Sequence, residues 1–377
     1  MSKSSKIILG LIVILLLIGA WFVLTKKVDA PTGPIKIGWV GPLSGDAMSF
    51  GTPMKNAVAL AVEDINKAGG IKGRQIEMIY EDGKCDGKEA VTAVQKLINI
   101  DKVKIIIGPT CSGEVQASAS IAEQNKVIML SPAASSPDIT KAGDYIFRNN
   151  PSDLDSGRVL AETMFKTSKK VAIISENTDY TQALRKVFMD NFSKAGGKVT
   201  FDENYLSTTK DFRSILTKVK ATDADGIFVN TQTEQAGGTI VKQIREMGIK
   251  LPIFATIAMT GKTALSVAGD SAEGITTVEL STVGNDKDAA FVKEYEAKYG
   301  KMPFAFYLEA CYDAVDIVAQ AVGAVGEDAT KIKGYLYDLK SFSGTNGVYG
   351  FDQNGDITGI GYVPKVFKDG KFVALEN

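Results

Sequence analysis

Apolar and polar positions along the chain fall into two alternating patterns. Short runs rich in Ile and Val have no polar face: IKIGWVG at 35–41, VKIIIGP at 103–109 and KKVAIIS at 169–175. Such runs read as strands buried on both sides. Between them, apolar residues recur at helical spacing. In PMKNAVALAVEDINKAG they are Ala57, Val58, Ala61, Val62 and Ile65, and Gly69-Gly70 ends the run. The same reading predicts strands at QIEMIYED, VIMLSP, KVTFDENY, ADGIFVN, PIFATI and GITTVEL. It predicts helices over 87–100, 112–124, 180–195, 209–221, 233–247, 286–299 and 303–325, and a closing hairpin in GVYGFDQNGDITG.

Strands that alternate with helices build parallel sheets covered on both faces. The alternation runs once, restarts after YIFRNNPS and runs again. The expectation is therefore an α/β fold with two Rossmann-like, doubly wound lobes. In open parallel sheets, ligands bind beyond the carboxyl ends of the strands, so two such lobes make a cleft between them. The segments that follow the strands are GPLSGDAMSFG (41–51), GPTCSGE (108–114), SPAASSP (131–137), SENTDYT (175–181) and NTQTEQ (230–235). They are small, hydroxyl-rich and open helices, whose first N–H groups suit a carboxylate.

The N-terminus departs from this pattern. Residues 7–24, IILGLIVILLLIGAWFVL, carry no charge, and lysines flank them at 3, 6, 26 and 27. The run is near the lower limit for spanning a bilayer and long for a signal-peptide core. It has no cysteine after it for lipid attachment and no convincing small-residue cleavage site, so it reads as an uncleaved signal anchor in preference to a cleaved signal peptide.

Composition narrows the chemistry. Hydrophobic residues make up 45% and charged residues 23% of 377, as in ordinary globular proteins. Lys and Arg number 43 against 44 Asp and Glu, a net charge of −1. That balance gives no electrostatic case for nucleic acid. The chain contains no histidine, which removes Ser-His and Cys-His nucleophile pairs and the usual imidazole metal ligands. No phosphate-binding loop is present, and GGIKGR (69–74) lacks dinucleotide-motif spacing and precedes a strand. DQNGD (352–356) has the acidic spacing of a calcium loop, but Val363 stands where such a loop needs glutamate, so a turn on Asn354-Gly355 is expected. No cofactor and no metal are expected.

Cys311 lies in a strongly apolar helix and reads as structural. Cys85 and Cys111 follow the second and third strands, whose ends are neighbours in a doubly wound lobe. A metal pair is the poorer reading, because no further cysteine or histidine is at hand. A disulfide is the better one, and it implies an oxidising compartment outside the cytoplasm.

IKIGWVGPLSG, AVEDINKAGGIKGRQIEMIYEDGKCD, IIIGPTCSGE, MLSPAASSPDIT and AGDSAEG together resemble the branched-chain amino acid (leucine/isoleucine/valine) binding proteins of ABC transporters, type I periplasmic binding proteins. The resemblance covers about 35–370. It implies two lobes joined by a three-strand hinge: 35–149 with 281–350 as N-lobe, 150–280 with 351–377 as C-lobe, and 1–34 as anchor and linker. It implies that Ser112, Ala133, Ala134 and Ser135 hold a ligand carboxylate, that Phe50, Tyr180 and Tyr307 are the cleft aromatics, and that Cys85 and Cys111 are the disulfide partners. Two positions depart from the family pattern: Ile257 stands where an ammonium-binding acid is expected, and Thr233 where a tyrosine is expected. Asp179 or Glu234 would have to replace the acid, or the ligand lacks an ammonium group, because an unpaired cation is costly to bury.

The resulting expectation is a monomeric, membrane-tethered substrate-binding protein that delivers an amino acid to an ABC permease and performs no catalysis. The alternatives are a sensor ectodomain on the same fold, or a binder of a non-amino carboxylate or amide.

Overall fold

The structure, a computed structural model, describes residues 33–281 and 285–375. The expected anchor at 7–24 lies outside the described residues. Among the described residues no helix is long and apolar enough to cross a membrane.

Two sheets organise the chain. The first has the order β2-β1-β3-β4-β5, all parallel. Its strands are β1 (Ile35–Gly41), β2 (Ile76–Asp82), β3 (Ile105–Ile107), β4 (Ile128–Ser131) and β5 (Ile146–Arg148). The second sheet repeats that order with β6 (Lys170–Glu176), β7 (Lys198–Tyr205), β8 (Gly226–Asn230), β9 (Ile253–Ala255) and β10 (Thr276–Leu280), running β7-β6-β8-β9-β10. In each, the strand order reverses between the first and third strands. That reversal leaves a crevice at the strand ends, where a ligand can enter between diverging loops.

Except at 153–167, 262–268 and 329–338, where none was expected, the helices match the expected periods. They are α1 (Met48–Lys67), α2 (Gly87–Asn99), α3 (Ser112–Gln124), α4 (Asp153–Thr167), α5 (Asp179–Lys194), α6 (Arg213–Lys220), α7 (Glu234–Glu246), α8 (Lys262–Ala268), α9 (Asp286–Tyr299), α10 (Ala305–Val325) and α11 (Ala329–Asp338). Side-chain caps fix several starts. Asp86 accepts from Lys88 N and Glu89 N, Ser152 from Leu154 N, and Asn285 from Lys287 N and Asp288 N. Strands β3 and β4 are buried along their whole length, as expected of a parallel sheet covered on both faces.

Three differences from the sequence reading matter. Helix α1 starts at Met48, ahead of Pro53, so Ser49 and Phe50 lie on its first turn. Gly51 permits this, because a Cβ there would meet the Pro42 carbonyl at 1.8 Å. Helix α4 was not expected and contributes Asp153. The C-terminal strands β14 (Tyr362–Lys368) and β15 (Lys371–Ala374) were also not expected. They extend the second sheet antiparallel from β10, and their half-buried positions give too weak an apolar run to read.

A third, small sheet joins β11 (Phe342–Gly344), β12 (Gly347–Phe351) and β13 (Ile357–Thr358), with β12 and β13 paired as the expected hairpin. The DQNGD segment forms its turn. Asp352 accepts from Asn354 N at 2.7 Å and Asp356 N at 3.0 Å. Asp356 receives Arg148 Nε at 2.6 Å and Nη2 at 2.9 Å. Arg148 is fully buried, and the guanidinium occupies the carboxylate in a two-pronged pair.

Candidate functional site

One cavity of about 680 Å³ of empty space, mouth included, lies between the strand ends of the two sheets. It is reached by the loops after β1, β2, β3, β4, β6, β8 and β9, the position expected from the strand order.

On the first sheet, buried polar groups hold the loops in place. Asp82 accepts Leu43 N at 2.8 Å and Ser44 Oγ at 2.6 Å, which fixes the turn leading to Ser49 and Phe50. Cys85 and Cys111 form a disulfide. Glu114 braces it, accepting Cys85 N at 3.0 Å and Cys111 N at 2.9 Å. Burial pushes the Glu114 carboxyl up to about 7, against the opposing pull of those N–H groups.

Ser112 opens α3 and is 3% exposed. Its Oγ accepts the backbone N–H of Ser136 at 3.1 Å and of Ser135 at 3.3 Å. Both lone pairs are thus used inward, and its own O–H proton remains for donation into the cavity. Ser135 Oγ donates to Asp153 Oδ2 at 2.6 Å. Ala133 and Ser135 line the cavity, whereas Ala134 does not: its N–H is donated to Ser131 Oγ at 3.1 Å, inside the loop.

On the second sheet, Glu176 ends β6 fully buried and accepts Gln232 N at 2.9 Å, Thr233 N at 3.0 Å and the Thr231 hydroxyl at 3.0 Å. The loop after β8 is thereby pinned so that Gln232, Thr233 and Glu234 reach the cavity. The Thr233 hydroxyl is itself donated to Glu176 at 3.2 Å. Glu234 Oε2 accepts Thr263 N at 2.7 Å, and its Oε1 accepts Ser49 Oγ from the first sheet's side at 3.3 Å.

Phe50, Tyr180 and Tyr307 line the cavity. Phe50 meets Tyr307 edge-on at 5.4 Å and Phe304, an aromatic missed in the sequence, at 5.6 Å. Burial raises the phenols of Tyr180 and Tyr307 far above the ordinary range, with the charge of Asp153 adding to it, so both remain protonated donors. Asp179 is exposed at the start of α5 and is not among the lining residues.

Behind Tyr180, Ile257 and Tyr307 lies a second, smaller cavity of about 270 Å³, which shares those three residues and has Asp153 in its wall. Asp153 is 2% exposed, and burial raises its carboxyl to about 6. The sequence held a signal for it in Ser152 followed by Asp153 and Asp155, a capped and acidic helix start. Its burial was not readable. Asp46, Ser49 and Gln232 also line the cavity; all three lie in loops singled out by their position after strands.

The electrostatics are one-sided. No Lys or Arg is among the lining residues, while Asp46 and Glu234 are, with Asp153 behind. An anion here is met by N–H and O–H dipoles and by no cationic side chain, and the start of α3 supplies such dipoles.

Two parallel α/β sheets facing one cavity through their strand ends define a ligand-binding protein. The chain belongs to the periplasmic binding protein family, which it matches over residues 34–370. It is 28% identical to the leucine-, isoleucine-, valine-, threonine- and alanine-binding protein of Pseudomonas aeruginosa, over 86% of this chain and 87% of that protein. Among solved structures it is similar to the branched-chain amino acid transporter substrate-binding protein LivJ from Streptococcus pneumoniae in complex with isoleucine, with 32% identity, 90% and 98% of the two chains covered and a TM-score of 0.82. A solute-binding protein from R. palustris in complex with benzoate shares the fold at 23% identity, covering 91% and 96%, with a TM-score of 0.82.

Proposed function

We propose that this protein is the extracytoplasmic substrate-binding component of an ABC transporter, that it closes on an α-amino acid of the branched-chain type, and that it hands the ligand to a permease without transforming it. The carrying observation is the charge pattern of the cavity. A helix N-terminus with Ser112 offers an anion site, and the walls add carboxylates but no cationic side chain. A plain carboxylate would bring a net negative charge into a half-enclosed cavity that already holds Glu234. A zwitterion brings its own compensation.

The ligand carboxylate takes the Ser112 hydroxyl and the edge of the Ala133–Ser135 loop. The ammonium takes Glu234, with Asp153 adding charge from behind Tyr180 and Tyr307. Glu234 therefore replaces the acid that Ile257 lacks, in preference to the exposed Asp179. Phe50, Tyr180, Phe304 and Tyr307 enclose an apolar side chain.

The two sheets act as lobes, 35–149 with 281–350 and 150–280 with 351–377, hinged where the chain crosses near 149, 280 and 351. The Arg148–Asp356 pair supports this, since it ties the first crossing to the residues after the third. The apolar run at 7–24 tethers the monomeric binding protein to the membrane. Ile257 favours a second reading, a carboxylate ligand with no amine. Mass spectrometry of the ligand retained through native purification separates the two: an aliphatic amino acid supports the first reading, and a carboxylate without nitrogen overturns it.

A further inference from the structure

The disulfide is part of the cavity wall. Cys85 and Cys111 both line it, Cys85 half-buried and Cys111 5% exposed. From the second sheet's side, Gln232 Nε2 donates to Cys85 Sγ at 2.7 Å. Cys111 immediately precedes Ser112, whose hydroxyl holds the N–H groups of Ser135 and Ser136. The covalent bond therefore links the loop after β2 to the start of α3, hydrogen bonds from Ser112 extend the tie to the loop after β4, and the bond touches the loop after β8. Cys85 also has a left-handed backbone, φ 58°, which a residue with a Cβ adopts at a cost and keeps only under constraint. Cys311 is buried and its thiol is pushed far up by burial, so it offers no alternative partner.

We propose that the Cys85–Cys111 bridge is a redox-sensitive gate on the ligand cavity: its reduction by a dithiol loosens the anion-binding corner and weakens ligand binding, and an occupied cavity protects the bridge from reduction. The inference rests on the reading of this cavity as the ligand site. One thiolate of the dithiol attacks the Sγ of Cys85, the less buried of the two residues, and the S–S bond breaks with its electron pair leaving on Cys111 Sγ, which takes a proton. The second thiolate attacks the mixed disulfide and closes the reductant into its own disulfide. Cys85 leaves as thiolate and is protonated. Two electrons and two protons have passed to the protein. The freed Cys85 can leave its left-handed conformation, and Ser112 loses the covalent tie beside it. Glu114, which accepts both cysteine N–H groups, keeps the two segments near each other and makes the step reversible.

Linkage requires the effect to run both ways. Gln232 reaches Cys85 Sγ from the second sheet's side, so a ligand that draws the two sides together must slow attack there.

The test uses the full chain, oxidised or reduced with dithiothreitol without oxygen, and leucine as probe. Calorimetry is expected to give about 10-fold weaker binding after reduction, and thiol appearance is expected to slow about 10-fold in saturating leucine. The double variant Cys85→Ser/Cys111→Ser should bind like the reduced protein and ignore dithiothreitol. Hydrogen exchange without ligand should rise at 110–116 and 133–136 and stay unchanged in β8 and β9. Equal affinity and equal reduction rates overturn the gate, as does exchange that rises throughout, which would make the bridge a support of the whole fold. If leucine fails to bind the oxidised protein, the amino-acid reading falls, and the exchange comparison still decides the gate: local loosening supports it, and none or global loosening overturns it.

Discussion

Ser112 Oγ accepts the backbone N–H of Ser136 at 3.1 Å, 24 residues along the chain. The residue at the start of α3 therefore both organises the neighbouring loop and faces the ligand. Ser112→Ala leaves the buried N–H groups of Ser135 and Ser136 without this acceptor. The variant is expected to lose roughly 1–3 kcal/mol of stability without ligand, and a further ~1.5–3 kcal/mol of binding through the lost charge-assisted hydrogen bond. Denaturant unfolding and calorimetric titration read the two losses separately. An unchanged midpoint together with unchanged affinity would reduce Ser112 to a helix cap.

The cysteines predict a thiol count. Intact mass after alkylation in denaturant should show one free thiol, Cys311, and a bridged pair. The bridge joins two residues 26 apart in sequence. Three reactive thiols in exported protein would contradict the pairing.

Glu234 and Asp179 separate two placements of the ammonium. Glu234→Gln keeps the shape and the acceptor for Thr263 N but removes the charge. It is expected to weaken amino-acid binding by about 2–5 kcal/mol, much of it the cost of an unpaired ammonium. Asp179→Asn, at an exposed position outside the lining, is expected to change affinity by less than about 1 kcal/mol. Calorimetry with leucine on both variants decides, and the reverse ranking would return the role to Asp179.

An acidic pair away from the cavity, buried Glu309 and half-buried Asp288, sets a pH dependence. Glu309, 4% exposed, has its carboxyl pushed up to about 8, first by burial and then by the charge of Asp288 and, more weakly, of Asp313. Among the described residues no donor serves Glu309 Oε2 or Asp288 Oδ1, and a proton held on Glu309 can be shared with Asp288. A carboxyl raised from 4.5 to about 8 on folding contributes stability that is fully present below 4.5 and is lost as pH rises through about 8. Wild-type thermal midpoints should therefore fall across that window, and Glu309→Gln should flatten part of the fall. Parallel curves for the two proteins would remove Glu309 from the account.

The strands and most helices were legible because buried parallel strands give unbroken Ile/Val runs and their covering helices keep a clear period. The predicted helix at 112–124 coincides with Ser112–Gln124. Helix α4 was hidden behind the polar run NNPSDLDSG, where a capped start interrupts the apolar signal. The cleft could be located from the loops after strands, whereas Ser112, Phe50, Tyr180 and Tyr307 were assigned to it through the family resemblance. Ala134, assigned with them, does not line it, because a loop sequence does not say which N–H turns inward to Ser131. The acids were the least legible. Asp153 becomes a wall of the inner cavity only once α4 packs behind Tyr180 and Tyr307, and Glu234 is aimed only because Glu176, two strands away in sequence, pins the loop before it.

The central claim is that the cavity selects a zwitterion. Calorimetric titration of the wild type with leucine and with its deaminated analogue, 4-methylpentanoate, under the same buffer and salt, tests it most directly. The account predicts tight leucine binding and at least about 100-fold weaker binding of the analogue, the loss set by an ion pair that the analogue cannot make. Equal or tighter binding of 4-methylpentanoate would contradict it.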